Sequence, residues 1–110
     1  MEVRREAAHG TVIYCIGGQI NASTSPNLET ALAADEGSSR VILDMRGVTY
    51  ISSAGVRAIV QAAKRVKARQ GGIAVFGLAP PVKDVFDAAG LGNIIPIASD
   101  ETEARSKLSA

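Results

Sequence analysis

Along this chain of 110 residues, short apolar runs alternate with segments whose apolar residues recur at helical spacing. Short apolar runs bounded by glycine or proline predict strands, whereas a period of about 3.6 residues predicts amphipathic helices. Strands and helices that alternate through short connections favour a layered structure with a largely parallel sheet. The pattern therefore predicts an α/β fold, with a mixed central sheet of about four to five strands and about four helices.

Four of the apolar runs are rich in β-branched residues and predict strands. Residues 2–7 can pair with the first run as a hairpin. The second run is uninterrupted and ends at Asp44, as expected of a central strand that is covered on both faces. Pro96 interrupts the last run and predicts a sheet edge, because proline cannot donate to the hydrogen-bond ladder. The runs are 11–16, which Gly17-Gly18 closes, and 41–43, 73–76 and 94–97.

Four segments combine a helix start signal with apolar residues on one face. Ser25 offers a capping hydroxyl before Pro26, and this first helix is predicted to extend until Gly37. Asp100 with Glu103 matches a variant of the capping box and begins a C-terminal helix. The other starts are Ser52-Ser53 and Pro80-Pro81, with stops at Gly71-Gly72 and Gly90.

Composition and charge limit the classes of function. With 12 basic and 11 acidic residues the net charge is +1, so we expect no direct binding of nucleic acid or of an anionic membrane. No apolar stretch approaches the roughly 20 residues that span a bilayer, and the N-terminus lacks the apolar run of a signal peptide. A lone cysteine, Cys15, excludes an internal disulfide framework. We expect one soluble, cytoplasmic domain over residues 1–110.

Two adjacent serines, Ser52 and Ser53, stand where the long second helix is predicted to begin. A hydroxyl at that place can cap free backbone N–H groups, and the helix dipole also favours an anion there. A phosphate on either serine would therefore be stabilised locally. The residues alone leave two interpretations open: a plain N-cap, with Gly55 allowing tight packing, or a modification site.

The stretch VILDMRGVTYISSAGVRAIVQAAKRVKARQGGIAVFGLAPPVKDVFDAAGL resembles the STAS domain of bacterial anti-sigma factor antagonists. The family has an acid before its phosphorylated serine at the start of the second helix, and that serine corresponds to Ser53, followed by Ala54-Gly55. It also has a Gly-acid-apolar-acid turn, where this chain has Gly18-Gln19-Ile20-Asn21. Ser52 and Asn21 thus replace two usual acids.

The resemblance implies a binding regulator without a cofactor, and not an enzyme. Such a protein binds an anti-sigma factor that has serine kinase activity, is released when that kinase phosphorylates Ser53, and is reset by a serine phosphatase. Ser52 is the second choice for the modified residue. The alternative is a non-phosphorylated STAS scaffold or accessory subunit of a transporter or signalling complex. The implied partner-binding residues are Gly18, Asn21, Ser52, Ser53, Ala54, Gly55, Val56 and Arg57.

Other chemistry-bearing residues receive plainer interpretations. A receiver-like domain with Asp44 as phosphoacceptor would need an acid pair after the first strand, and none is present. His9 precedes a turn glycine and is interpreted as structural, and Cys15 as a core residue. Asp100, Glu101 and Glu103 are assigned to a helix start and not to a metal. The remaining candidates are basic side chains interpreted as a solvated helix face: Arg57, Lys64, Arg65, Lys67 and Arg69. Arg57 alone has an alternative interpretation: it lies about one turn from Ser53 and would border the partner surface or lie near a phosphate.

Overall fold

The computed structural model describes residues 1–35 and 37–108, and its strands and helices alternate along the chain. The α/β class and the numbers of strands and helices agree with the prediction. The predicted domain, 1–110, also includes Glu36, Ser109 and Ala110, which lie outside the described residues. The strands are β1 (Glu2–Ala8), β2 (Thr11–Ile20), β3 (Arg40–Ile51), β4 (Gly72–Phe76) and β5 (Ile97–Ala98). The helices are α1 (Ser25–Ala33), α2 (Ser53–Ala68), α3 (Pro80–Ala88) and α4 (Glu101–Leu108), with a 3-10 turn at Leu91–Asn93.

The five strands form one mixed sheet in the order β1-β2-β3-β4-β5, with β3 in the centre as predicted. β1 and β2 are antiparallel, which confirms the hairpin, and the other neighbours are parallel. His9 and Gly10 join the hairpin with φ values of 55° and 78°. A two-residue turn with positive φ at both positions matches the right-handed twist of the strands, so His9 has a structural place.

β2 and β3 are both longer than the sequence predicts. The predicted ends at Gly17-Gly18 and at Asp44 are wrong, because β2 continues to Ile20 and β3 to Ile51. The segment predicted as a loop after Asp44 is therefore strand. The two strands remain paired through shifts in register, and the backbones approach so closely that a Cβ on Gly47 would lie 3.1 Å from Gly17 Cα. The glycines permit irregular pairing where strand propensity predicts a break.

The first helix begins at Ser25, as predicted, but its capping and its end differ from the prediction. Thr24 occupies the N-cap position and no side chain caps the helix, so the predicted capping by Ser25 is wrong. Pro26 does lie in the first turn, where its missing N–H is not needed. The helix ends at Ala33, before Gly37. Its buried residues are Ser25, Leu28 and Leu32, and the packing of such an apolar face contributes most of the stability of a short helix.

The last strand is shorter than predicted, and the capping pattern of α4 is partly as expected. β5 contains only Ile97–Ala98 at the sheet edge, and Pro96 precedes it. Asp100 Oδ1 accepts the backbone N–H of Glu103 at 2.8 Å, as predicted for an N-cap. Glu103 Oε1 accepts the N–H of Ser99 at 3.0 Å, one residue earlier than a capping box requires.

Helices cover both faces of the sheet. α1, α2 and α3 pack over one face around a large apolar cluster, while α4 covers a smaller cluster on the other face. Cys15 is half-buried beside the smaller cluster, so its predicted core position is only partly correct. Within the described ranges, no helix is long and apolar enough to cross a membrane. The carboxyl ends of β2 and β3 lead directly into the residues singled out by the sequence.

Candidate functional site

Two predicted segments meet at the carboxyl ends of neighbouring parallel strands. Ile20 ends β2, Ile51 ends β3, and the two residues are paired in register. The backbone N–H of Ser52 donates to the carbonyl of Ile20 at 2.8 Å, which extends the pairing by one hydrogen bond. Asn21 and Ser52 directly follow this pair, so the structure brings together two positions that are 31 residues apart in the chain.

Ser52 and Ser53 have different roles at the start of α2. Ser52 is the N-cap, with extended backbone, and its Oγ accepts the N–H of Gly55 at 3.4 Å. Its carbonyl accepts the N–H of Val56 at 3.0 Å as α2 begins. Ser53 is the first helical residue and is exposed, and its hydroxyl makes no hydrogen bond with the described residues. The capping role falls on one serine and leaves the other hydroxyl free.

Gly55 allows α2 to lie close to the strand ends. A Cβ on this residue would stand 2.6 Å from Ile20 Cγ2 and 2.8 Å from Ile51 Cγ1. Both isoleucines are buried in the core, so a methyl group at this position would force core side chains to shift. The absence of a side chain at Gly55 therefore permits the helix start to lie directly against the paired strand ends.

The side chain of Asn21 organises the turn between β2 and α1. Asn21 Oδ1 accepts the backbone N–H groups of Ser23 at 2.9 Å and Thr24 at 3.1 Å. Thr24 Oγ1 in turn accepts the N–H of Asn21 and donates to the carbonyl of Gln19, both at 2.9 Å. The amide oxygen thus makes the bonds that a carboxylate oxygen would make there, without its charge.

The other predicted partner-binding residues surround this helix start to different degrees. Arg57 is exposed one turn beyond Ser53, while Ala54 and Val56 are half-buried. Gly18 lies inside β2, with a φ of 88°, and a Cβ there would be 3.2 Å from Met1 Cα. Gly18 therefore permits a close approach of the N-terminal backbone to β2, and it lies before the turn at Asn21.

Tyr50 is an exposed residue near the helix start, and no sequence pattern marks it as part of the site. Its side chain is 50% exposed, although it is three residues from Ser53 on β3. Strict alternation would place Tyr50 on the same face as buried Val48. The register shift between Gly18 and Gln19 reverses the alternation of side chains at the end of β3, so that Tyr50 points to solvent. No local pattern in the sequence predicts this shift.

Asp44 lies within β3 and is buried, which is incompatible with an exposed phosphoacceptor at a strand end. Arg46 donates to its carboxylate through Nε at 3.0 Å and Nη2 at 2.8 Å. Burial would raise the pKa of Asp44, but these hydrogen bonds outweigh it and hold the pKa below its usual value. Among the residues that the structure describes, no three His, Cys, Asp or Glu side chains group as metal ligands.

Comparison with known families agrees with this geometry. The STAS domain family model matches residues 2–104. The chain belongs to the STAS domain family. BtrV of Bordetella bronchiseptica, whose name describes an anti-sigma factor antagonist, is 36% identical over 106 residues, covering 94% of this STAS domain and 91% of BtrV.

Solved structures share the STAS architecture. A Thermotoga maritima protein described as an anti-sigma factor antagonist has a TM-score of 0.92 at 18% identity, covering 98% of this chain and 95% of that chain. The Bacillus protein SpoIIAA in its unphosphorylated form has a TM-score of 0.82 at 20% identity, covering 98% and 96%. Its phosphorylated form has a TM-score of 0.73 at 19% identity, covering 96% and 98%. At these identities the likeness is one of fold.

Proposed function

We propose that this STAS domain is a cytoplasmic anti-sigma factor antagonist that is switched at Ser53. In its unphosphorylated form it binds an anti-sigma factor with serine kinase activity, phosphorylation of Ser53 by that kinase ends the complex, and a serine phosphatase restores it. The observation that carries the proposal is the exposed, unengaged hydroxyl of Ser53 at the first position of α2. The name of the relative BtrV supports the antagonist role.

The proposed docking face is the surface around the paired ends of β2 and β3. It combines the turn at Asn21, the helix start at Ser52 and Ser53, and the exposed Arg57. Because Ser52 N–H bonds to the strand end and Gly55 packs tightly against it, this surface is held by the backbone and does not depend on a mobile loop. A preorganised surface loses little conformational entropy on binding.

A phosphate on Ser53 would act at the contact itself. It adds about 1.5 to 2 negative charges at pH 7, and desolvating that charge in an interface shaped for a hydroxyl is costly. Within the free domain the first turn of α2 contains no acid, so the added phosphate meets the positive end of the helix without a repelling carboxylate in that turn. The modification would thus weaken the complex while leaving the fold intact.

Ser52 is the less suitable acceptor, because its Oγ already caps Gly55. The neutral, internally bonded side chains of Ser52 and Asn21 also favour a second candidate function, docking that does not depend on phosphorylation. In that case the STAS domain would be a scaffold or accessory subunit of a transporter or signalling complex.

The test incubates the protein and ATP with each kinase-type anti-sigma factor encoded in its genome, and maps added phosphate by mass spectrometry. We expect phosphate on Ser53, none in Ser53→Ala, and retained phosphorylation in the matched variant Ser52→Ala. Added serine phosphatase should remove the phosphate and restore binding. A complex that forms without any phosphate transfer, or a Ser53→Asp variant that binds as tightly as wild type, would establish the scaffold instead.

A further inference from the structure

Charge is distributed unevenly along the chain despite a net charge of only +1. Between Asp44 and Asp84 every charged residue is basic, and this segment contains the end of β3 and the whole of α2. The turn after β2 also lacks acids, since the first carboxylate following it is Glu29. The proposed docking face is therefore built entirely from neutral and basic residues.

Several basic residues of this segment have structural roles. Lys67 Nζ donates to the carbonyl of Ile94 at 2.7 Å, and Arg69 Nε to the carbonyl of Ser38 at 2.7 Å. The Nη2 atom of Arg65 is buried. Arg57 and Lys64 differ from these residues, because both are exposed and neither forms a hydrogen bond or ion pair with the described residues.

Arg57 and Lys64 belong to one row of residues along α2. We call this row the α2 stripe, and it comprises Ser53, Arg57, Val60 and Lys64. Their spacing of four, three and four residues places them on one side of a helix, over a length of about 16 Å. That side is opposite the buried face of the helix, which comprises Gly55, Ala58, Ile59, Ala62, Ala63 and Val66. The stripe thus begins at the proposed phosphorylation site and runs outward from it.

We propose that the α2 stripe docks against an acidic surface of the partner, with carboxylates opposite Arg57 and Lys64. This inference rests on the proposed function, because it concerns the partner of the same docking face. Two exposed cations without internal counterions gain from a facing carboxylate. Glu29 lies on α1, which packs beside α2, but it forms no ion pair with either cation. Asn21 and Ser52 add no negative charge, so a basic partner surface would find only like charge here.

The stripe also links phosphorylation to release. Arg57 is one helical turn from Ser53, within reach of a phosphate on that residue. A charge-assisted bond between the phosphate and Arg57 would withdraw this cation from the partner. The remaining negative charge would face the partner's carboxylates and repel them. Release then results from a local reversal of charge at one end of the stripe.

An acidic protein surface fits the stripe better than nucleic acid does. Two free cations on one helix supply few phosphate contacts, and binding to a duplex scales with the number of phosphates neutralised. Half-buried Val60 lies between the two cations and packs in part against the apolar core. The rest of its side chain is available for contact with an apolar side chain of a protein. A short DNA duplex nevertheless belongs in the test.

The first arm measures, by calorimetry, the affinity of the kinase-type anti-sigma factor that binds wild-type protein. We expect Arg57→Glu/Lys64→Glu to weaken binding by at least roughly tenfold at low salt, and less at high salt. The matched control Arg40→Glu/Lys107→Glu makes the same change in charge at exposed residues on the start of β3 and on α4, and should bind within about twofold of wild type. Equal or tighter binding by the stripe variant overturns the proposal.

The second arm does not depend on finding the partner. Poly-L-glutamate is added to isotope-labelled protein, and backbone amide shifts are followed by NMR. Shifts concentrated on residues 53–64, absent in the stripe variant and present in the control, support the proposal even if no anti-sigma factor binds. Shifts centred on Arg4, Arg5 or Arg40 instead, or tighter binding of a DNA duplex that the stripe variant abolishes, overturn it.

Discussion

Ser52 Oγ accepts the backbone N–H of Gly55 at 3.4 Å at the start of α2. This long hydrogen bond satisfies one of the unpaired donors of the helix and occupies the hydroxyl of Ser52. Ser53 is the next residue, and its exposed hydroxyl forms no hydrogen bond with the described residues. Ser52 therefore contributes to the stability of the helix, whereas Ser53 is free for the proposed phosphorylation.

Replacing Ser52 by alanine should lower the free energy of unfolding. Loss of an N-cap costs about 0.5 to 2 kcal/mol, and the length of this bond favours the lower half of that range. The free energy is measured by urea unfolding followed by circular dichroism. Ser53→Ala is the matched control and should change it by less than about 0.5 kcal/mol, because no contact of that hydroxyl is lost. A larger loss in Ser53→Ala than in Ser52→Ala would reverse the assigned roles.

Replacing Gly55 by alanine should also destabilise the fold. The new methyl would lie 2.6 Å from Ile20 Cγ2 and 2.8 Å from Ile51 Cγ1. Overpacking of this kind costs about 1 to 3 kcal/mol, against which alanine gains about 1 kcal/mol of helix propensity. Since both isoleucines are buried, we expect a net loss in urea unfolding.

Gly37→Ala provides the control for this substitution. A Cβ on Gly37 would meet nothing within 4 Å, so the variant should be neutral or slightly more stable. If Gly55→Ala were as stable as Gly37→Ala, a side chain at residue 55 would be tolerated. The close approach of α2 to the strand ends would then not require glycine.

Stability should fall in acid because of Asp35. Its carboxylate accepts the Tyr14 hydroxyl at 2.9 Å and the Ser38 N–H at 3.1 Å, and Arg5 Nε lies 3.8 Å away. Burial would raise the pKa of Asp35, but the hydrogen bonds from Ser38 and Tyr14, with the charge of Arg5, outweigh it and leave the pKa lowered. A lowered folded pKa means that this stabilisation is complete above the unfolded pKa of about 3.9 and is lost as the pH falls through the folded value.

The measurement is the free energy of unfolding as a function of pH from about 6 down to 2, the range over which a carboxylate of lowered pKa takes up its proton. Asp35→Asn should flatten the acid limb of this curve, because the amide does not titrate. Asp84→Asn is the control, since Asp84 is exposed and makes no hydrogen bond or ion pair with the described residues. Parallel acid limbs for Asp35→Asn and wild type would exclude Asp35 as a source of the dependence.

Tyr50→Ala should weaken binding of the proposed anti-sigma factor partner while leaving stability nearly unchanged. An aromatic side chain that is 50% exposed beside Ser53 can bury a large area against a partner. Aromatic anchors of interfaces contribute roughly 2 kcal/mol or more when truncated, which is a loss in affinity of about thirtyfold. Calorimetry provides the measurement.

The control for Tyr50 is Ile94→Ala. Ile94 is the other large exposed apolar residue among those described, at 37% exposure, and it lies near α4, away from the proposed face. We expect its affinity to match wild type. An equal loss in both variants would point to a general effect of surface hydrophobicity and not to an anchor at Tyr50.

Much of the fold follows from local patterns. Helical spacing predicts one apolar face on the first helix, Leu28 and Leu32, and one on the second, Val56, Ile59, Val60, Ala63 and Val66. These residues are buried except Val56 and Val60, which are half-buried. Strand ends were predicted less well. Gly17, Gly18 and Asp44 are residue types that often end a strand. They nevertheless lie inside strands, because β2 and β3 remain paired beyond them. Pairing between distant segments is a tertiary interaction that local propensity does not report.

The sequence by itself determined the α/β class, the central position of β3, the helix start at the two serines and the absence of acids around them. Only the tertiary structure decided which serine caps the helix, that Asn21 lies beside Ser52, and that Tyr50 faces outward. The reason is physical: residue types set local preferences and charge, whereas strand register and the close approach at Gly55 determine which side chains are occupied and which remain free.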